Sequence, residues 1–400
     1  MWGEFLIRLI YGRIKNSPHN ILIKFCHPTL RYCRLLVYSL NDNSSFMLTQ
    51  LPTPTLKPAD ALTLSGAPGL QYLFIGPDGS RVEINTGLAD VAQQHAVNRT
   101  TAFNAYSLTK TFTAIAVLQL VEQGKIALAD MVGGYLPQYP FSEKFTVEQL
   151  LSHRAGLANP LPLSWIHLAN EDRSFDAAAF SRRIIAANTR LKYTPGTKMR
   201  YSNVGYLILG ELIEQVSGLP YRDYILQHIF EKIQPGSGYL GFARPESGDF
   251  ATGHHRRWSF VNLLLGLLLD KKKFTRRASA DWIAFNPLYV NGMAYGGVVA
   301  NAGGLAAYLQ AVLNNELFEN EATTQIMFAR QEPGMGMGWF TGILNGHLYH
   351  THAGGGGGYY CEIRVYPALR MTSVLMTNRS GFSDERLLDR LDKHVIPSFQ

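Results

Sequence analysis

The chain has 400 residues, 46% hydrophobic and 17% charged, enough to bury a large core, which excludes a disordered, collagen-like or low-complexity chain. Its three cysteines lack C-x-x-C spacing and supply neither a disulfide framework nor a zinc or redox motif. The net charge of +7 is uneven: residues 1–46 carry Arg8, Arg13, Lys15, Lys24, Arg31 and Arg34 against Glu4 and Asp42, a net of +4, and the near-neutral remainder has no basic stripe for nucleic acid.

Along the chain, residues 1–46 have no hydrophobic period, and Arg8, Arg13 and Lys15 interrupt the apolar run that a signal peptide needs. They are expected to be a dispensable extension, with Met47 as the natural start and a cytoplasmic location. From Leu70 the pattern becomes regular. Leu70 to Ile75 and Arg81 to Asn85 read as a hairpin turned by Pro77-Asp78-Gly79. A long helix is predicted from Ser107 to Gln123, stopped by Gly124. Thr146 to Ser152 reads as a short helix with a capping box on Thr146 and Gln149. Helices follow from Asn203 to Ser217 and from near Pro220. Gly303 and Gly304 precede an apolar helix to Leu313. Strands are predicted at 337–343, 347–351, 359–366 and 371–377, and a helix from Ser383 to about His394. Two strands at the front, four at the back and helices between them predict an α/β fold of the α+β type: an antiparallel sheet built from both ends (about 66–120 and 300–400), flanked by helices, with a mainly helical insertion (about 121–299) in a single body over 47–400.

Three polar clusters could carry chemistry. Ser107-Leu108-Thr109-Lys110 is the one S-x-x-K in the chain. Residues i and i+3 share a helix face, so the Lys110 amine can lie beside the Ser107 hydroxyl, and a lysine whose pKa is depressed can activate a serine. The bland alternative is a serine cap with a solvated lysine. Tyr201-Ser202-Asn203 supplies a phenol for proton relay and an amide to orient substrate, although Tyr289-Val290-Asn291 matches the same pattern. The third cluster, His352-Ala353 followed by Gly354 to Gly358, lies between two predicted strands. Five glycines suit close backbone approach to a ligand or positive φ, or else a flexible loop.

These clusters, in this order and with flanks such as FTVEQLLSHRAGL and PGTKMRYSNVGYLILG, resemble the serine hydrolase superfamily of class C β-lactamases, penicillin-binding DD-peptidases and related β-lactamase-like esterases and D-aminopeptidases. The resemblance covers about residues 66–396. It implies the β-lactamase/transpeptidase-like fold and an acyl-enzyme mechanism without metal or cofactor. Ser107 is then the nucleophile, Lys110 its base and Tyr201, which follows Pro195-Gly196, the proton relay in preference to Tyr289. Asn203, His352 and Gly354 become substrate-binding, and the backbone N–H groups of Ser107 and Gly355 form the oxyanion hole. His153 is expected to be structural.

One departure bears on substrate. Where relatives carry a lysine and a hydroxyl residue before the glycine to hold a substrate carboxylate, this chain has His352 and Ala353. Carboxylate recognition should be weaker, which favours small esters or amides. A β-lactamase or D-alanyl peptidase, and a catalytically silent binding protein on the same fold, are the alternatives. Finally, residues 254–277 place a 12-residue uncharged block, Trp258 to Leu269, between basic ends. It is too short to span a membrane. It is expected to cap the cleft, to touch a membrane surface or apolar substrate, or to be a buried helix.

Overall fold

A computed structural model describes residues 20–26, 33–39, 56–160, 165–233, 236, 238–259, 262–263, 265–266, 269–381 and 386–399. The chain divides into two compact units, Met1–Thr55 and Leu56–Gln400. In the first, Asn20–Cys26 pairs antiparallel with Cys33–Ser39. The other residues of 1–55, Met47 among them, lie outside the described residues.

The second unit is organised by a seven-stranded antiparallel sheet. Its strands are β1 (Gly69–Ile75), β2 (Arg81–Asp90), β3 (His95–Ala96), β4 (Phe340–Leu344), β5 (His347–Gly356), β6 (Tyr359–Tyr366) and β7 (Met371–Thr377), in the order β4-β5-β6-β7-β1-β2-β3. The two ends of the chain meet where β7 pairs with β1, Val374 opposite Leu73. The central strands β1, β6 and β7 are buried at every residue, because helices cover both faces and each alternate set of side chains meets a core. Leu73, Ile75, Ile363 and Val374 face the larger cluster, which includes helices α2 (Thr109–Glu122), α5 (Asn203–Ser217) and α8 (Ala302–Leu313). Leu70, Tyr72, Phe74 and Tyr366 face a second cluster with α1 (Pro58–Ser65) and α9 (Leu387–Val395). The remaining helices used below are α3 (Val147–Leu151), α4 (Ala177–Ala187), α6 (Tyr221–His228) and α7 (Met293–Gly296).

Helix α2 is buried from Thr109 to Leu120, as expected of a helix that is apolar all round. Its hydroxyls are satisfied within the core. Thr109 Oγ1 donates to the Tyr106 carbonyl at 2.7 Å, and Thr113 Oγ1 donates to that of Ala294 at 2.7 Å. Helix α3 has the capping box expected of Thr146 and Gln149. Between the two halves of the sheet, the chain also forms short strands, His254–Arg256, Thr275–Arg277 and Trp282–Phe285 forming one three-stranded sheet. Three predicted boundaries shift. The strand expected from 337 begins at Phe340. Strand β5 continues past Thr351 to Gly356, so His352 to Gly356 belong to a strand and only Gly357 and Gly358 turn the hairpin. Pairing with the apolar β6 overrides the low strand propensity of glycine. The last helix begins at Leu387, and the predicted start at Ser383 lies outside the described residues.

Behind the sheet, a buried ionic cluster fixes α9. Arg364 contacts Glu362 at 2.6 Å and Asp389 at 2.7 Å, while Asp392 accepts from Tyr72, Tyr366 and Ser373 at 2.6–2.9 Å. Burial pushes the Asp392 carboxyl up, and Arg364 and the hydroxyls pull it back. Removing the cation while leaving buried carboxylates is strongly destabilising. Arg364→Met is therefore expected to lose about 3–5 kcal/mol of folding stability, read from urea or guanidinium unfolding; an unchanged midpoint would refute this role.

Candidate active site

The site is built where the turn before α2 lies against β5. Ser107 belongs to a 3-10 turn, Tyr106–Leu108, leading into α2, whose N-cap is Leu108 with no side-chain cap bond. The serine-cap alternative therefore fails: Ser107 Oγ stands 3.1 Å from Lys110 Nζ. Lys110 is fully buried, and Nζ donates to the Tyr295 carbonyl at 2.8 Å. It lies over the rings of Tyr201, Tyr295 and Tyr206 at 4.8, 5.3 and 5.6 Å. Burial holds its pKa well below that of an ordinary lysine, and among the described residues no carboxylate pairs with it to reverse the effect. The amine can therefore be the proton acceptor a serine needs.

Tyr201 joins this pair. Its phenol is close enough to Ser107 for the hydroxyl to act on it, and stands 3.4 Å from His352 Nε2. Burial raises its pKa, so the phenol stays protonated at rest. His352 Nδ1 donates to the Gly338 carbonyl at 2.7 Å, a contact that assigns the ring proton to Nδ1 and leaves Nε2 to accept from Tyr201. Burial, aided by the neighbouring Lys110, lowers His352 to about 3. The position of the relatives' lysine is thus held by a neutral acceptor.

The backbone around Tyr201 is fixed from α3. His153, at φ 57, accepts the Ser202 N–H on Nδ1 at 3.1 Å and lays its ring 4.3 Å from that of Tyr201. Ser202, rather than Asn203, caps α5, accepting from the Gly205 N–H. The Asn203 side chain is thereby released, its buried Oδ1 unpaired, to line the cleft beside Ser107. The competing pair is elsewhere engaged: Tyr289 accepts from Arg244 N–H at 3.4 Å and Asn291 contacts His167 at 2.7 Å.

Strand β4 leaves β5 after the Phe340–Thr351 pair, so the outer edge of β5 from His352 onward faces the cleft. The glycines there have separate reasons. A Cβ on Gly354 would lie 2.3 Å from the Ala105 carbonyl oxygen and 2.9 Å from the Ser107 nitrogen; only glycine lets β5 come so near Ser107. Gly357, at φ 49, clears the Tyr106 hydroxyl, which a Cβ would approach to 2.1 Å. Tyr106 itself has φ 45, a strained conformation for a side chain of that size, immediately before Ser107. At Gly355 a Cβ would make only ordinary contacts, 3.6 Å from the Tyr359 carbonyl oxygen, and the residue borders the cleft next to Ser107. Ala353, by contrast, packs against the second cluster, on the face it shares with Glu362. A hydroxyl at 353 would face away from Ser107, so the departure from the relatives' pattern acts in this chain through His352.

The cleft over Ser107 has a volume of about 270 Å³. Leu265 and Leu269 line it, which puts the uncharged block of 254–277 beside the site. Trp258 is 79% exposed, while Leu264 and Leu268 lie outside the described residues. Among the described residues no helix is long and apolar enough to cross a membrane. Sequence reading missed Tyr295 and Gly338. Gly338 acts through its carbonyl oxygen, which every residue type has, and Tyr295 through its carbonyl and a ring with no motif around it to mark it.

The family model described as Beta-lactamase matches residues 60–395. A penicillin-binding protein of Bacillus subtilis (strain 168) is 32% identical over 146 residues, 36% of this chain and 32% of that protein, so the match spans about a third of that relative's length. The octameric penicillin-binding protein homologue from Pyrococcus abyssi superimposes with a TM-score of 0.67 at 23% identity, over 85% of this chain and 76% of that one. The D-amino acid amidase from Ochrobactrum anthropi SV3, complexed with L-phenylalanine amide, does so with 0.70 at 18% identity, over 86% and 100%. At these identities the two structures are similar to this chain in fold.

Two predictions follow from this geometry. Gly354→Ala should force β5 from the nucleophile turn, costing about 1–3 kcal/mol and most turnover, whereas Gly355→Ala, which has room and keeps its N–H, should keep fold and activity; equal behaviour of the two would refute the close approach. Second, burial lowers His254 and His350 to about 4 and His352 to about 3, whereas in the unfolded chain each titrates near ~6.5. As pH falls from about 6.5 to about 4, the unfolded state binds more protons, so stability declines, by up to about 1.4 kcal/mol per pH unit per histidine. His350→Gln should flatten this dependence, compared by denaturant unfolding at neutral and mildly acidic pH; an unaltered slope would contradict a neutral buried His350.

Proposed function

Because the chain belongs to the β-lactamase family, we propose that it is a serine hydrolase working through an acyl-enzyme on small esters or amides. The observation that carries the reading is the buried Lys110 amine, 3.1 Å from Ser107 Oγ and without a carboxylate partner among the described residues. Ser107 Oγ attacks the substrate carbonyl carbon as its proton passes to Lys110 Nζ, directly or through the Tyr201 phenol. The carbonyl oxygen becomes an oxyanion that the backbone N–H groups of Ser107 and Gly355 are suited to receive. As the tetrahedral intermediate collapses, the bond to the leaving group breaks, and that group takes the proton from Lys110 through Tyr201. Water then attacks the Ser107 ester by the same route in reverse and releases the acid. Asn203 contacts the substrate from the opposite wall, and Gly354 gives it access to the edge of β5.

His352 supports this division of labour. A neutral imidazole that accepts from Tyr201 orients the phenol without adding a cation. His352 thus supplies no counter-charge for a substrate carboxylate, which weighs against β-lactams and D-alanyl peptides as preferred substrates.

Ser107→Ala and Lys110→Ala are each expected to lower kcat/KM by several orders of magnitude, and the double variant by little more, because nucleophile and base act as a unit. The check is a panel of short-chain nitrophenyl esters, a D-alanine amide and a chromogenic cephalosporin, together with peptide mapping of a fluorophosphonate-treated sample. Labelling away from Ser107, or full activity in either single variant, would overturn the assignment.

A further inference from the structure

The walls of the cleft over Ser107 differ in kind from its floor. Its lining includes Trp165, Ile166, Leu265, Leu269 and Phe285, and among the described residues no Asp, Glu, Lys, Arg or His borders it. The 12 residues from Trp258 to Leu269 bring no charge either. The nearby cation, Lys110, lies beneath Ser107, fully buried and held by the Tyr295 carbonyl.

This composition discriminates between substrates. A carboxylate entering the cleft would shed water and find no cation; an α-ammonium would shed water and find no carboxylate. Either desolvation goes uncompensated. An apolar chain gains with every methylene it buries. A cleft of about 270 Å³ has room for a chain of several methylenes or one aryl ring.

Building on the serine-hydrolase reading above, we propose that the substrate is a neutral ester whose apolar acyl chain lies against Leu265 and Leu269, which pack with Phe285, and against Trp165, which lines the same cleft. The reaction consumes ester and water and yields a carboxylic acid and an alcohol, with Ser107 transiently carrying the acyl group. Leu265 and Leu269 set chain-length preference and take no part in proton transfer.

The test compares kcat/KM of the full chain for nitrophenyl acetate, butanoate and hexanoate, for D-phenylalanine nitroanilide and for a chromogenic cephalosporin. In the wild type, kcat/KM should rise by about two- to fourfold for each added methylene and fall well below the hexanoate value for both charged substrates. Leu265→Asp should abolish the rise. Should that variant not fold, Leu269→Ala must still lower the hexanoate-to-acetate ratio. A flat chain-length profile, or faster turnover of the D-amino anilide or the cephalosporin than of the hexanoate, overturns the proposal. Labelling by an alkyl fluorophosphonate separates the two readings. Ser107 labelled with a flat profile sinks the apolar-chain proposal alone, whereas turnover persisting in Ser107→Ala without Ser107 labelling sinks the serine-hydrolase reading as well.

Discussion

A lysine side chain fully enclosed without a counter-ion among the described residues is the constraint on which the rest of the structure depends. Burying an ammonium in this way is costly unless the group gives up its proton, and here three tyrosine rings and one backbone carbonyl enclose Lys110 instead of a carboxylate. That environment exists because α2 runs through the centre of the larger core, between the sheet and helices α5 and α7, and is buried along nearly its whole length. Had α2 lain on the surface, the same S-x-x-K would be a solvated lysine one turn from a serine. The burial that lowers the pKa of the amine is supplied by the core around α2.

The second constraint is the approach of β5 to the turn that holds Ser107. The absence of a side chain at Gly354 sets that distance, and the glycine at 357 leaves room for the strained Tyr106. The strand reaches this position because it pairs with β6 along its inner edge, while β4 stops short at Thr351. An edge left open beside the nucleophile presents backbone groups to substrate without a conformational change. The ionic cluster of Arg364, Glu362 and Asp392 braces the same strands from behind and ties them to α9.

Neutrality extends from the base to the surrounding groups. His352 and His153 are both pushed toward the uncharged form by burial and by the neighbouring lysine, and Tyr201 is pushed toward the protonated form. Burial thus disfavours the charged forms of Lys110, Tyr201 and His352 together. The apolar walls contributed by Trp165, Leu265 and Leu269 continue this character outward to the mouth of the cleft.

Much of this was legible in the sequence because it is local. Spacing of i and i+3 places Lys110 beside Ser107, Thr146 and Gln149 form a capping box, and alternation with turn residues marks the sheet strands from both ends of the chain. Flanking text also separates Tyr201 from Tyr289. What the sequence left open depends on contacts between distant segments. Whether Lys110 is neutral depends on burial by residues up to 185 positions away; which of Ser202 and Asn203 caps α5 depends on His153 and Asn159; and whether Ala353 faces the site depends on its register with Glu362. A glycine run reads as a loop until a partner strand fixes its pairing, and an uncharged block reads equally as core, cap or interface until the residues beside it are known. Local chemistry named the participants, and packing fixed their protonation, orientation and reach, because desolvation and register are properties of the folded chain as a whole.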